Sequence, residues 1–145
     1  MVYIWVMKII SCLIAITLLC TGCIDAGGFA VKKNIINEYY YLIATDNVED
    51  LTLSYSFDKG DSDFGTVIEA TVLAIGYNDK YIIVKQHPKT SNDTPHKKTI
   101  NYYILPLKEG MNWGNHNGLI GPLTIDKFNE KAKELNIEDI KFTDY

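Results

Sequence analysis

The chain has 145 residues, a formal net charge of −4 and 14 basic residues, all of them lysines. This length suits one domain with a hydrophobic core of its own. An acidic chain without arginine is a poor candidate for nucleic-acid binding, because that function favours basic patches and bidentate arginine contacts. We therefore expect no nucleic-acid partner.

The first patterned segment is an apolar run near the N-terminus. Residues 9–19 are almost wholly apolar, follow Lys8, and precede the small residues Thr21 and Gly22 and then Cys23. The run has the length of a signal-peptide apolar region and is shorter than the roughly 20 residues that a spanning helix needs. The pattern therefore favours a signal peptide.

These residues resemble the signal of bacterial lipoproteins, in which a lipobox ends in the modified cysteine. Cys20 departs from the lipobox, because leucine is usual at that place. The resemblance implies a diacylglyceryl group on Cys23 and removal of residues 1–22, and we expect Met7 to be the true start. A retained transmembrane anchor, counted from Val2, is the alternative.

Processing would leave a tether over residues 23–37 and a single globular domain over residues 38–145. Cys12 and Cys20 would be lost with the signal, so no disulfide and no cysteine metal site is expected. We expect a location in the cell envelope, where the lipid anchors the chain to a membrane and the domain faces the periplasm or the exterior. No cofactor is expected.

Five segments have the composition of β-strands. Residues 51–57 alternate cleanly between apolar and polar side chains, which is typical of a half-buried strand. The alternation of residues 66–77 slips at Ala70 and Thr71, which indicates a bulge in one long strand. The predicted strands are residues 39–45, 51–57, 66–77, 81–87 and 99–107, with a tight turn at residues 78–80.

The C-terminal part predicts one helix. Residues 108–122 are rich in glycine and are predicted to be irregular. Thr124 is a good N-cap, Asn136 suits a left-handed C-terminal position, and residues 140–145 form a predicted last short strand. The apolar residues at helical spacing are Ile125, Phe128, Ala132 and Leu135.

Consecutive strands with short connections predict an antiparallel meander. The expected fold is therefore mainly β, of the α+β class, with the amphipathic helix packed on the sheet. Phe128 is expected to be buried against a strand residue such as Leu53 or Ile104, because a helix this short is marginal alone in water.

A second resemblance covers residues 39–137. The segments that carry it are "YYLIATDNVEDLTLSYSF", "AIGYNDKYIIVKQHP", "INYYILPL" and "GLIGPLTIDKFNEKAKELNI". They resemble an uncharacterised family of small bacterial lipoproteins that share a domain of unknown function. The resemblance implies a lipoprotein with one domain, and it implies no activity.

Two groups of polar residues have side chains that can bind metal ions. Asp58, Asp61 and Asp63 lie in one loop, but their spacing meets the calcium-loop pattern only in part, which favours a solvated hairpin tip. The three histidines lack zinc-ligand spacing, although two of them flank one loop and could meet. They are His87, His96 and His116. We predict no metal site.

Aromatic residues provide the binding candidates, namely Tyr39, Tyr41, Tyr103 and Trp113. Tyrosine and tryptophan are frequent at recognition surfaces, because each buries a large area and keeps a polar tip. The alternative is that these rings pair across strands and stabilise the sheet.

No nucleophile motif, carboxylate pair or phosphate loop indicates catalysis. We therefore expect a non-catalytic binding or structural role, with a protein of the envelope as a possible partner. An inhibitor or immunity-like module that acts on an envelope enzyme or toxin is the alternative, and an undescribed hydrolase is a third. A deep cleft lined by acids or histidines would favour the enzyme, and a long loop with a protruding aromatic residue would favour the inhibitor.

Overall fold

The computed structural model describes residues 31–58, 63–92, 94–107 and 118–145. These residues form two antiparallel sheets, one 3-10 turn at Val48–Asp50 and one α-helix, α1, at Ile125–Leu135. The first sheet has the order β1-β2-β3-β4, with β1 at Val31–Ile36, β2 at Tyr40–Ala44, β3 at Thr52–Ser56 and β4 at Phe64–Ile68. The second sheet has the order β8-β7-β6-β5-β9, with β5 at Val72–Tyr77, β6 at Tyr81–Gln86, β7 at Asn101–Pro106, β8 at Ile120–Leu123 and β9 at Thr143–Asp144.

The mainly β class with one packed helix is confirmed, and the strands divide into two sheets instead of one meander. The prediction of one long strand over residues 66–77 is therefore wrong. Residues 66–77 do not form one bulged strand, because β4 ends at Ile68 in the first sheet and β5 begins at Val72 in the second. Ile68 pairs with Leu53, whereas Val72 pairs with Gln86. The slip in alternation marks the place where the chain passes from one sheet to the other.

The segment expected as a tether also contains structure. Val31–Ile36 is strand β1, which pairs with β2 from Val31↔Ala44 to Ile36↔Tyr40. Lys32 and Lys33 lie in this edge strand, where lysine discourages pairing with another chain. The tether prediction therefore fails for residues 31–36, and residues 23–30 lie outside the described residues.

A strand also occurs in the segment predicted as irregular. β8 pairs with β7 at Tyr102↔Leu123 and Ile104↔Ile120. Gly121 in this strand has a φ of +143°, and a Cβ at this position would clash with the ring of Tyr103. Glycine thus lets the two strands approach closely. Residues 108–117 lie outside the described part of the chain.

The second sheet contributes to a hydrophobic core on each of its faces. Ile82, Val84 and Leu105 pack with the first sheet, where Leu42 and Leu53 are fully buried. Residues of the opposite face pack with α1 in a second core, formed by Ile83, Tyr102, Ile104, Phe128, Ala132 and Ile137. The described chain therefore has three layers, in the order sheet, sheet and helix.

The helix has the predicted termini. The Thr124 side chain accepts from the Lys127 amide at 3.5 Å, and Asn136 ends the helix in left-handed conformation. Phe128 is buried in the core that contains Ile104, as expected, whereas Leu53 belongs to the other core. Ile125 is 46% exposed, so the apolar face is narrower than its sequence spacing predicts.

Within the described residues, no helix has both the length and the apolar character that crossing a bilayer requires.

Candidate binding pocket

A pocket of ≈ 260 Å³ lies where the end of the sandwich meets the loop after β6, and we call it the corner pocket. Its described lining comes from four places in the chain: the 3-10 turn, the crossing between the sheets with the start of β5, three residues at and after the end of β6, and Tyr145. Its lining residues are Glu49, Thr71, Val72, Leu73, His87, Pro95, Lys97 and Tyr145.

The crossing between the sheets is held by paired hydrogen bonds. The Thr71 amide and hydroxyl both donate to the His87 carbonyl, at 3.3 and 3.1 Å, and the His87 amide donates back to Thr71 at 3.0 Å. The side chain of Gln86, 5% exposed, donates to the Glu69 carbonyl at 2.7 Å and accepts from the Tyr103 hydroxyl at 3.0 Å. This buried amide ties the crossing to the second sheet, because leaving any of its polar atoms unpaired would be costly.

The loop after β6 is also ordered by its own hydrogen bonds. Lys89 and Pro95 form an isolated β-bridge, and the His96 amide donates to the Pro88 carbonyl at 2.8 Å. Lys89 also forms an ion pair with Asp50 at 3.6 Å, which links this loop to the 3-10 turn. The two walls of the pocket that carry Glu49 and Pro95 are thereby joined.

The neighbouring acids of the 3-10 turn have different surroundings. Glu49 is exposed and lines the pocket, whereas Asp50 is half-buried and pairs with Lys89. The Asn47 side chain accepts from the Glu49 amide at 3.1 Å and so caps the turn. The two adjacent acids therefore have different partners and exposures.

Two histidines meet at Thr99. His87 Nδ1 lies 2.8 Å from the Thr99 carbonyl oxygen, and His96 Nδ1 lies 2.6 Å from the Thr99 hydroxyl. A carbonyl oxygen only accepts, so His87 Nδ1 carries the proton and, in the neutral ring, Nε2 carries the lone pair. Within the described ranges, no three His, Cys, Asp or Glu side chains are placed to hold a metal ion, and His116 lies outside these ranges.

Tyr145, which lines the pocket, is held by contacts with both sheets. The Tyr145 amide donates to the Leu73 carbonyl at 3.0 Å, beside the pairing of β9 with β5. Lys33 Nζ, on β1, donates to the Tyr145 hydroxyl at 3.1 Å and lies 4.4 Å from the ring centroid. Tyr145 is therefore fixed by contacts with residues of both sheets.

The sequence model of a family described as "Protein of unknown function (DUF3997)" matches residues 37–145. The chain belongs to the DUF3997 family. Comparison with curated proteins and comparison with solved structures each found no match.

The described aromatic candidates of the DUF3997 domain lie in different packing environments. Tyr41 is 7% exposed, with the Phe64 ring edge against it and Lys32 Nζ 5.4 Å from its centroid. Tyr103 packs against the core between the sheets. Trp113 lies outside the described residues.

Tyr39 belongs to a different aromatic group, which packs on the core between the sheets. Its ring stacks on Tyr55 with centroids 5.4 Å apart and an interplanar angle of 6°, and Tyr40 meets Tyr55 edge-on at 5.2 Å. Burial, with the nearby Tyr55 as a second cause, raises the pKa of Tyr40 to about 12. These ring contacts are cross-strand packing, which stabilises a sheet.

The loop that carries Asp58, Asp61 and Asp63 is described by the structure only at its two ends. The Phe57 amide donates to the Asp63 carbonyl at 3.2 Å, and the Ser56 hydroxyl donates to the Asp58 carbonyl at 3.0 Å. Asp61 lies outside the described residues.

The corner pocket itself was not predicted from the sequence. Glu49, Lys97 and Tyr145 are far apart in the chain and belong to no recognisable motif. The sequence did indicate that His87 and His96 flank one loop and could meet. In the structure both histidines contact Thr99, and His87 lines the pocket.

Proposed function

We propose that this chain is a lipid-anchored, extracytoplasmic lipoprotein of the bacterial envelope with a non-catalytic binding role. The observation that carries the proposal is the apolar run of residues 9–19 that ends at Thr21-Gly22-Cys23. A thiol directly after small residues at the end of a signal-length run is what lipoprotein processing uses. Two or three acyl chains, at ~0.8 kcal/mol per buried methylene, would anchor the domain firmly.

The corner pocket supports binding as the role of the domain. Its walls come from four segments and are joined by hydrogen bonds and an ion pair, so little conformational freedom is lost when a ligand enters. Its buried hydroxyl, on Thr71, donates to the backbone carbonyl of His87, an arrangement that holds the loop and does not activate a nucleophile. A preformed concave site with convergent polar groups is the usual form of a ligand site.

Lipidation is tested by substitution of the cysteine. Cells that express the wild-type chain are grown with an alkyne fatty acid, and the chain is then examined for label and for its distribution between membrane and soluble fractions. We expect labelled, membrane-bound wild-type protein and an unlabelled Cys23→Ser variant. Cys20→Ser is the matched control and should be labelled like the wild type.

Two results would contradict the proposal. An unlabelled wild-type chain would show that Cys23 is not acylated. A Cys23→Ser variant that keeps the label, together with a Cys20→Ser variant that loses it, would show that the lipid is attached to Cys20 and not to Cys23. Protease added to intact spheroplasts should degrade the domain, and full protection would refute an external location.

A further inference from the structure

The corner pocket carries both signs of charge on separate walls. Glu49 is on the 3-10 turn, Lys97 is on the loop after β6, and both side chains are exposed where they line the pocket. Asp50 and Lys89, the charged pair beside them, bind each other at 3.6 Å. Among the described lining residues, Glu49 thus offers a ligand an anionic group and Lys97 a cationic group.

The rest of the lining is largely apolar. Val72, Leu73, Pro95 and Tyr145 also line the pocket. Such a surface suits a short aliphatic side chain, because removing apolar surface from water is favourable. A volume of ≈ 260 Å³ is below the roughly 300–1,000 Å³ of pockets for drug-sized ligands, which indicates a small ligand.

His87 adds a directed acceptor. Its Nδ1–H donates to the Thr99 carbonyl, so the neutral ring has a lone pair on Nε2. Glu49 and His87 line the same pocket, so both can accept from an ammonium group, and Lys97 can pair with a carboxylate.

From these features we propose that the corner pocket binds a small zwitterion that has an α-ammonium group, a carboxylate and a short aliphatic side chain. Glu49 and His87 receive the ammonium group, Lys97 receives the carboxylate, and the apolar lining receives the side chain. This inference rests on the binding role proposed above and names its ligand class. A free amino acid and a short peptide share this chemistry, so the experiment includes both.

The experiment measures binding to the full-length, detergent-solubilised chain by isothermal titration calorimetry and by thermal shift. The probes are L-valine, L-leucine and L-alanyl-L-alanine, each at up to millimolar concentration. Two matched probes are isoamylamine, which is leucine without the carboxylate, and 4-methylpentanoate, which is leucine without the ammonium group. We expect saturable binding of at least one zwitterion and at least tenfold weaker binding of both matched probes.

Variants then test which residues bind the two charged groups of the ligand. Glu49→Gln and Lys97→Gln should each weaken binding of the zwitterion at least tenfold, since a charged hydrogen bond is lost in each. Glu130→Gln and Lys127→Gln, both exposed on α1, are the matched controls and should bind like the wild type. The relative affinities of leucine and the dipeptide identify the source of the ligand.

Three results would overturn the proposal. These are no saturable binding of any zwitterion, equal binding of leucine and isoamylamine, or full affinity in the Glu49→Gln and Lys97→Gln variants. Fatty-acid labelling at Cys23 does not depend on any of these measurements, so failure of the ligand proposal and failure of the lipoprotein proposal are distinguishable.

Discussion

Replacement of Phe128 by alanine tests whether the helix is an integral layer of the fold. Phe128 is 7% exposed and contacts two other rings, with centroid distances of 5.1 Å to Tyr102 and 5.8 Å to Phe142. A buried aromatic side chain covers roughly 150–250 Å², which at about 25 cal/mol per Å² corresponds to ~4–6 kcal/mol of gross burial. Alanine keeps its methyl group and the site relaxes in part, so we expect Phe128→Ala to lower the free energy of unfolding by ~3–5 kcal/mol.

The assay is guanidinium unfolding of the detergent-solubilised chain, followed by tyrosine and tryptophan fluorescence. Lys131→Gln on the same helix is the control. Lys131 pairs with Glu134 at 2.7 Å on the surface, so its loss should change the free energy of unfolding by about 0.5 kcal/mol or less. Equal, small effects of the two substitutions would refute the reasoning and would show that α1 is a loosely attached arm.

Two further predictions concern the sheets. Gly76→Ala should destabilise the fold by ~1–3 kcal/mol in the same assay, because the new Cβ would collide with the Lys141 carbonyl oxygen; an unchanged midpoint would contradict this contact. Burial raises the pKa of Tyr40 from 10.0 to about 12, so the folded state holds the phenolic proton more tightly than the unfolded state does. The resulting stability is complete below pH 10 and is lost as the pH rises towards 12, and Tyr40→Phe should flatten this part of a pH–stability profile measured by thermal melts.

The local elements were largely predictable because their signals are local. Alternation in residues 51–57 predicted strand β3, and Leu51 and Leu53 are buried in the core between the sheets. The half-buried pattern is wrong, because Ser54 and Ser56 on the predicted polar face are also buried and Phe57 is 39% exposed. The turn at residues 78–80 joins β5 and β6, and the Asn78 side chain accepts from the Lys80 amide at 2.8 Å. A period of two residues and a short polar side chain in a turn act within a few residues of sequence.

The sequence by itself determined the mainly β composition, the helix with its termini at Thr124 and Asn136, and the candidate lipidation site at Cys23. Only the tertiary structure decided that the strands divide between two sheets at residues 69–71. Periodicity records which face of a strand is buried, whereas the partner of a strand depends on hydrogen bonds to distant residues. The corner pocket depends on the same distant pairings, because they bring Glu49, Lys97 and Tyr145 to one end of the sandwich.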